Sequence, residues 1–216
     1  FTIKNFVKEH YEDLSLVIIA ILLSLILFFS IKDMSFVSTF ANILSSLATS
    51  GITTSTDVSK DFSLYLLFIT ILGGSIISNS SGIKFVRFYI LLKSSFIEVL
   101  KLVRPNNITN KNILFSDKKI NDENIKISFL IFISFFISLF LLSGVLVNDN
   151  INFENSFKLS ILTLTNTVSS ELYGFKNIEF NNLLTSSKIS IIIFMIIGKI
   201  ELISIFLIIK KIFFKN

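Results

Sequence analysis

Hydrophobic and polar positions fall along this chain in long blocks, not in the short alternation of half-buried strands. Leu14 to Ile31 carries no charge over eighteen residues, about 27 Å as a helix, and predicts a membrane span. Lys32 and Asp33 end it. Phe36 to Ala48 is only moderately apolar and too short to cross; it predicts a helix that dips into the membrane and returns, with protein around the non-helical backbone that follows. That backbone is the hydroxyl-rich tract Leu47-Ala48-Thr49-Ser50-Gly51-Ile52-Thr53-Thr54-Ser55-Thr56. A second apolar run, Phe62 to Leu72, breaks at Gly73 through Gly82, a stretch too rich in Gly, Ser and Asn to remain a regular helix in lipid. On its residues alone the break reads either as a linker after a short span or as a loop enclosed by protein. Ile83 to Val103 resumes a helical pattern but carries Lys84, Arg87, Lys93, Glu98 and Lys101, which places it at or beyond the membrane interface. Arg104-Pro105-Asn106 closes it, and Asn107 to Asn124 is a polar connector.

The pattern then recurs. Ile125 to Val147 predicts a span, Asn148-Asp149-Asn150 a turn, and Phe153 to Thr165 another short, half-apolar helix. Asn166-Thr167-Val168-Ser169-Ser170 is a second hydroxyl-rich tract, and Ile189 to Ile209 a final span before Lys210, Lys211 and Lys215. Span, short helix, polar tract, span occurs twice, with Gly51 and Val168 at corresponding positions, and internal repetition is a common way to build transport folds. The expected organisation is all-α and membrane-embedded: one unit over residues 1–103, a connector over 104–124 and a second unit over 125–216.

Composition agrees with the pattern. A mean hydropathy of +0.77 with 25 Phe and one Pro is that of a membrane protein. The pI near 9.3 would fit nucleic acid, but the charge follows topology instead. Residues 1–13, 83–126 and 210–216 hold fourteen of the twenty Lys and Arg, so the positive-inside rule makes that side, with the C-terminus, cytoplasmic. Both polar tracts then approach from outside, and the two units run parallel. Cysteine is absent, which excludes disulfides and thiolate metal sites. The lone His10, among Lys8, Glu9 and Glu12, reads as part of a solvated face. The chain starts at Phe1 without a signal-peptide pattern, and is expected to be part of a longer protein or a processed fragment.

Four motifs in order give the chain its resemblance. Ala48-Thr49-Ser50-Gly51-Ile52-Thr53-Thr54 is similar to the third-repeat filter of the TrkH/KtrB family of bacterial potassium transporters, usually S/T-x-G-[FY]-T-T. Gly73-Gly74-Ser75 through Ser81-Gly82-Ile83-Lys84 resembles that family's Gly-rich break in the second helix of the repeat. Arg104-Pro105-Asn106 looks like its Pro-Asn motif, and Gly198-Lys199-Ile200-Glu201 resembles its G-R-[LM]-E signature in the last helix. The resemblance covers nearly the whole chain and makes it the C-terminal half of such a protein, the third and fourth of four membrane–pore-loop–membrane repeats. It implies K⁺ uptake across the bacterial inner membrane, with Na⁺ or H⁺ as candidate coupling ions and no bound cofactor. The filter would draw on Thr49, Ser50, Gly51, Ile52 and Thr53, with Asn166, Thr167, Val168 and Ser169 from the second tract. Gly73, Gly74, Ser75 and Gly82 would form an intramembrane gating loop, with Lys199 and Glu201 beside it. The partners implied are the N-terminal half of the same polypeptide, a second copy in a homodimer, and a cytoplasmic nucleotide-binding subunit like TrkA or KtrA.

The physical chemistry of these positions supports such a reading. Carbonyls flanking a glycine, backed by hydroxyls, replace the water shell of a small cation. A short Ser/Thr/Gly tract is otherwise an ordinary loop. A charge in mid-span costs roughly 2.5–3.5 kcal/mol on insertion scales and therefore faces a cavity or a partner. Lys199 and Glu201 are two residues apart, point about 200° apart on a helix, and so need separate partners. Lys199 lies roughly 16 Å from the charged C-terminus, too deep for easy snorkelling. The departure from the family is Val168, where the fourth tract normally carries glycine; shifting by one brings Ser169, and the nearest glycine is Gly174. K⁺ over Na⁺ selectivity is left open by this, and a non-conducting or regulatory subunit that keeps the fold is the alternative. Glu171 reads as attraction for cations at an outer mouth. No catalytic cluster, phosphate loop or metal-ligand spacing points to an enzyme.

Overall fold

The apolar blocks become helices close to where the pattern places them: α1 (Tyr11–Ser30), α2 (Phe36–Leu47), α3 (Lys60–Leu72), α4 (Phe85–Val103), α5 (Asp122–Val147), α6 (Phe153–Leu164) and α7 (Thr185–Lys199), with a 3-10 turn at Glu171–Tyr173. The structure, a computed structural model, describes residues 10–30, 35–52, 60–76, 78–104, 112, 113, 115, 118–149, 151–167, 171–174 and 183–199. The N-terminal segment, Thr53 and Thr54, the Pro105-Asn106 motif, Val168 to Ser170, and the final span beyond Lys199, Glu201 included, lie outside them. Among the described residues there is no strand, only an isolated antiparallel bridge between Asn112 and Lys119.

α1 and α5 begin a turn earlier than their apolar runs because Glu12-Asp13 and Asp122-Glu123 suit the positive end of a helix dipole. Both helices are long and apolar enough to cross a membrane, and only 22% and 39% of their most apolar stretches are buried within the chain. Val17, Leu22, Ile26 and Phe29 on α1, and Phe129, Ile137, Phe140 and Leu141 on α5, face outward. A soluble core helix would hide such a face. Serines inside these helices satisfy their hydroxyls on their own backbone: Ser24 Oγ donates to Ile21 O at 2.7 Å and Ser134 Oγ to Ile131 O at 2.9 Å.

α2 starts at Ser35, whose hydroxyl accepts from the Ser38 N–H at 3.2 Å. Twelve residues long, α2 and α6 reach about 18 Å each, too little to cross a bilayer. Each packs on the long helix before it, α2 on α1 and α6 on α5, and on a following helix, α3 and α7. The core between them holds Ile43 and Leu47 of α2, Phe62 and Leu66 of α3, Leu139 and Leu142 of α5, and Leu162 and Leu164 of α6. A second cluster joins Phe85, Val86 and Ile90 of α4 to Ile113 and Ile120, with Tyr11 and Leu16 of α1 against it. This seats the start of α4 beside the start of α1.

Candidate functional site

α2 ends in a motif that recurs 117 positions later. Past Leu47, the Thr49 N–H bonds Ser46 O at 3.1 Å and the Ser50 N–H bonds Ser45 O at 3.0 Å. Past Leu164, the Asn166 N–H bonds Thr163 O at 3.1 Å and the Thr167 N–H bonds Leu162 O at 2.9 Å. These are the paired bonds of a Schellman cap, which needs a left-handed residue just beyond the helix, here Thr49 at φ 54° and Asn166 at φ 51°. Asparagine tolerates that conformation; a β-branched threonine there stores roughly 1–2 kcal/mol of strain. Gly51 adds a second left-handed residue at φ 71°. Thr49 and Gly51 are buried, Ser50 is half-buried and bonds Ser45 Oγ at 2.9 Å, and Ile52 is exposed. In the second tract Thr167 is buried and its hydroxyl lies 2.8 Å from that of Thr165.

The Tyr173 ring, wholly buried, ties the end of the second tract to the first short helix, its hydroxyl 3.3 Å from Ser46 Oγ. Burial pushes this phenol up to about 12, with the Ser46 hydrogen bond opposing. It is therefore neutral at physiological pH.

Gly73 to Lys84 leaves α3 and returns to nearly the same point. The Ile83 N–H bonds Ile71 O at 3.0 Å, and the Phe85 N–H bonds Gly74 O at 3.1 Å. Gly73, at φ 65°, lets the strands of this excursion touch, since a Cβ there would sit 2.4 Å from Ser81 O. Gly73, Gly74, Ser75, Ser80 and Ser81 are buried, Gly82 is half-buried, and Ile76 and Asn79 are exposed. Ser80 Oγ accepts from the Gly74 N–H at 3.0 Å. This is a packed loop, not a loose linker.

The loop brings the sequence-predicted residues together. Its Ser81 N–H lies 3.4 Å from Thr49 Oγ1, and its Ser81 Oγ 3.5 Å from Asn166 Nδ2, so it sits between the two tracts. Asn166 Nδ2 also donates to Met195 O of α7 at 2.8 Å. Lys199 Nζ, at the end of the described part of α7, donates to Asn79 O at 3.0 Å. One residue earlier, Gly198 presses on the last residue of α6: a Cβ there would stand 2.0 Å from Leu164 O.

Sequence reasoning missed two charged residues at this loop. Glu12, expected on a solvated face with His10, is buried, and its carboxylate accepts from the Ile76 N–H at 2.5 Å; His10 itself is exposed. Lys84, expected at the interface, is also buried, and its ammonium donates to Ser78 O at 2.8 Å, to Ser80 O and to Ser80 Oγ at 3.4 Å. The signal available was position: Lys84 follows directly on the Gly-rich break, whose carbonyls need donors. Among the described residues no three His, Asp or Glu side chains converge on a common point.

The class this architecture defines is a helical membrane fold in which two helices too short to span end in polar turns around a packed loop. The potassium transporter TrkH from Vibrio parahaemolyticus has this fold: its crystal structure matches 93% of this chain with a TM-score of 0.76, at 18% identity, and the match takes in 44% of that protein. The sequence is also 25% identical over 191 residues to an uncharacterized cation transporter of Methanocaldococcus jannaschii, covering 87% of this chain and 39% of that relative. The chain thus spans less than half the length of each of these two proteins. No family model matches it.

Proposed function

We propose that this chain forms part of the pathway of a membrane cation transporter, passing K⁺ through a pore that it lines with two parallel units, 1–103 and 125–216, joined by a connector at 104–124. The observation that carries this reading is the recurrence of one backbone motif at Thr49 and Asn166, both at the ends of short inserted helices and both against one loop. Two such turns present carbonyls and hydroxyls from buried backbone, which is how a filter replaces an ion's hydration shell. Thr49 to Thr53, with Asn166 to Ser169, are the filter residues in this reading, and Gly73 to Gly82 with Lys199 and Glu201 the gate. The names of both matched proteins, a potassium transporter and a cation transporter, support the same substrate class.

Two units cannot enclose a pore alone, so the remaining lining comes from the N-terminal part of the same polypeptide. A homodimer in the inner membrane, a cytoplasmic C-terminus, Na⁺ or H⁺ coupling and a nucleotide-binding regulatory subunit complete the proposal. The full-length protein, expressed in a host lacking K⁺ uptake, should restore growth on low K⁺ and take up Rb⁺. Good membrane expression with neither result would end the transport reading. One observation favours a second reading, a non-conducting subunit: in sequence Val168 follows Asn166 as Gly51 follows Thr49, and a β-branched residue disfavours the left-handed conformation Gly51 adopts. Val168→Gly separates the two readings, because it should raise uptake if the altered tract alone limits conduction.

A further inference from the structure

Besides Lys199, two buried charges bond the loop backbone. Glu12, in the first turn of α1, holds the Ile76 N–H, while Lys84, at the start of α4, holds the carbonyls of Ser78 and Ser80. Lys84 sits at φ 74°, a region that suits glycine and that L side chains rarely adopt. Glycine would relax the backbone there, so what lysine adds is its ammonium. Burying a carboxylate and an ammonium is costly unless each is paired and hydrogen-bonded, and here each makes hydrogen bonds to the loop backbone. Phe85 and Val86 of α4 share an apolar cluster with Tyr11 and Leu16 of α1, so the two charges stand on neighbouring helix starts.

We infer that Glu12 and Lys84 act together as a charge-assisted clamp that sets the position of the Gly73–Gly82 loop, transmitting any shift between the starts of α1 and α4 to its apex at Asn79. They are positioning residues: neither is placed in the proposed filter. The clamp rests on the pore reading only for its consequence in ion flux; its geometry is testable without flux.

The experiment uses the full-length protein in membrane vesicles, in a cysteine-free background carrying Ser81→Cys at a buried position of the loop, and reads the rate at which a small thiol reagent modifies that position. Glu12→Gln keeps an oxygen for the Ile76 N–H and removes only the charge; Lys84→Met removes the ammonium at similar size. Each should speed labelling by about tenfold, the weight of a hydrogen bond to a charged group. The double variant should label no faster than the quicker single, because the pair works as one unit. Lys84→Arg should stay within about twofold of the parent, since charge and donors are retained. Parental labelling in both single variants, multiplied effects in the double, or Lys84→Arg behaving as Lys84→Met would each overturn the clamp. If Lys84→Met fails to accumulate, Glu12→Gln decides alone, and parental labelling there overturns it. Rb⁺ uptake is measured in the same vesicles: a parent that carries no ion defeats the pore reading and leaves the labelling result standing.

Discussion

The Lys199 ammonium donates to the Asn79 carbonyl at 3.0 Å, joining the last helix to the apex of a loop 120 positions earlier. A positive charge fixed beside a cation pathway raises the barrier to a monovalent cation, the more so where water is scarce. Lys199→Gln, which removes the charge and keeps a donor, should therefore raise Rb⁺ uptake by the full-length protein by about tenfold. An unchanged rate, with membrane expression matched, would remove Lys199 from the pathway.

Gly51 stands two residues past the left-handed Thr49, itself left-handed at φ 71°. Alanine there meets strain of about 1–2 kcal/mol, or a backbone shift that re-aims the neighbouring carbonyls. Under the proposed filter reading, either change alters the ion's surroundings before the fold. Gly51→Ala should weaken the preference for K⁺ over Na⁺ by about tenfold, measured as Na⁺ competition against Rb⁺ uptake. If competition is unchanged, the filter assignment of the first tract should be abandoned.

Gly198 and Gly144 make a matched pair. A Cβ on Gly198 would stand 2.0 Å from Leu164 O, whereas one on Gly144 would meet nothing within 4 Å. Lipid tails are as apolar as leucine, so helix association in a membrane depends on close packing, and α7 cannot yield its seat on α6 cheaply. Gly198→Ala should lower stability by about 1–3 kcal/mol. Gly144→Ala should be neutral or gain up to about 1 kcal/mol from helix propensity. Thermal unfolding in detergent distinguishes them, and equal Tm values for the two variants would contradict the packing seen at Leu164.

Tyr173 supplies a pH test in a turn outside the spanning helices. Its ordinary value of 10.0 is pushed up to about 12 by burial, so between these values the folded protein keeps a proton that the unfolded chain has lost. The stabilisation is fully present below about 10 and drains away as pH rises toward 12. Tyr173→Phe should flatten this alkaline decline while costing about 1 kcal/mol at neutral pH through the lost Ser46 contact. A parent and variant with parallel stability curves from pH 8 to about 12 would show that another group governs the decline.

Much of this architecture was legible from local physics. Uninterrupted apolar runs have few alternatives in a bilayer, so Leu14 to Ile31 and Ile125 to Val147 could be read as spans with errors only at their acidic first turns. The short helices expected over Phe36 to Ala48 and Phe153 to Thr165 end one residue earlier, at Leu47 and Leu164, and were readable because length alone bars them from crossing. The site was legible only in outline. Gly51 and Asn166 announce left-handed turns, but Thr49 does not, because nothing in a threonine predicts that a Schellman cap will force it there.

The sequence by itself determined where the chain can be helical, which stretches must be enclosed, and that Gly73 to Gly82 interrupts a helix. Only the tertiary structure decided what satisfies that interruption. Its freed carbonyls and N–H groups are met by Lys84, Glu12 and Lys199, residues between 4 and 120 positions from the groups they bond. A backbone group withdrawn from water must find a partner, and the sequence states that need without naming the partner. Glu12 is the clearest case: beside His10 it reads as surface, and only the fold buries it and brings it to the Ile76 N–H, 64 positions away.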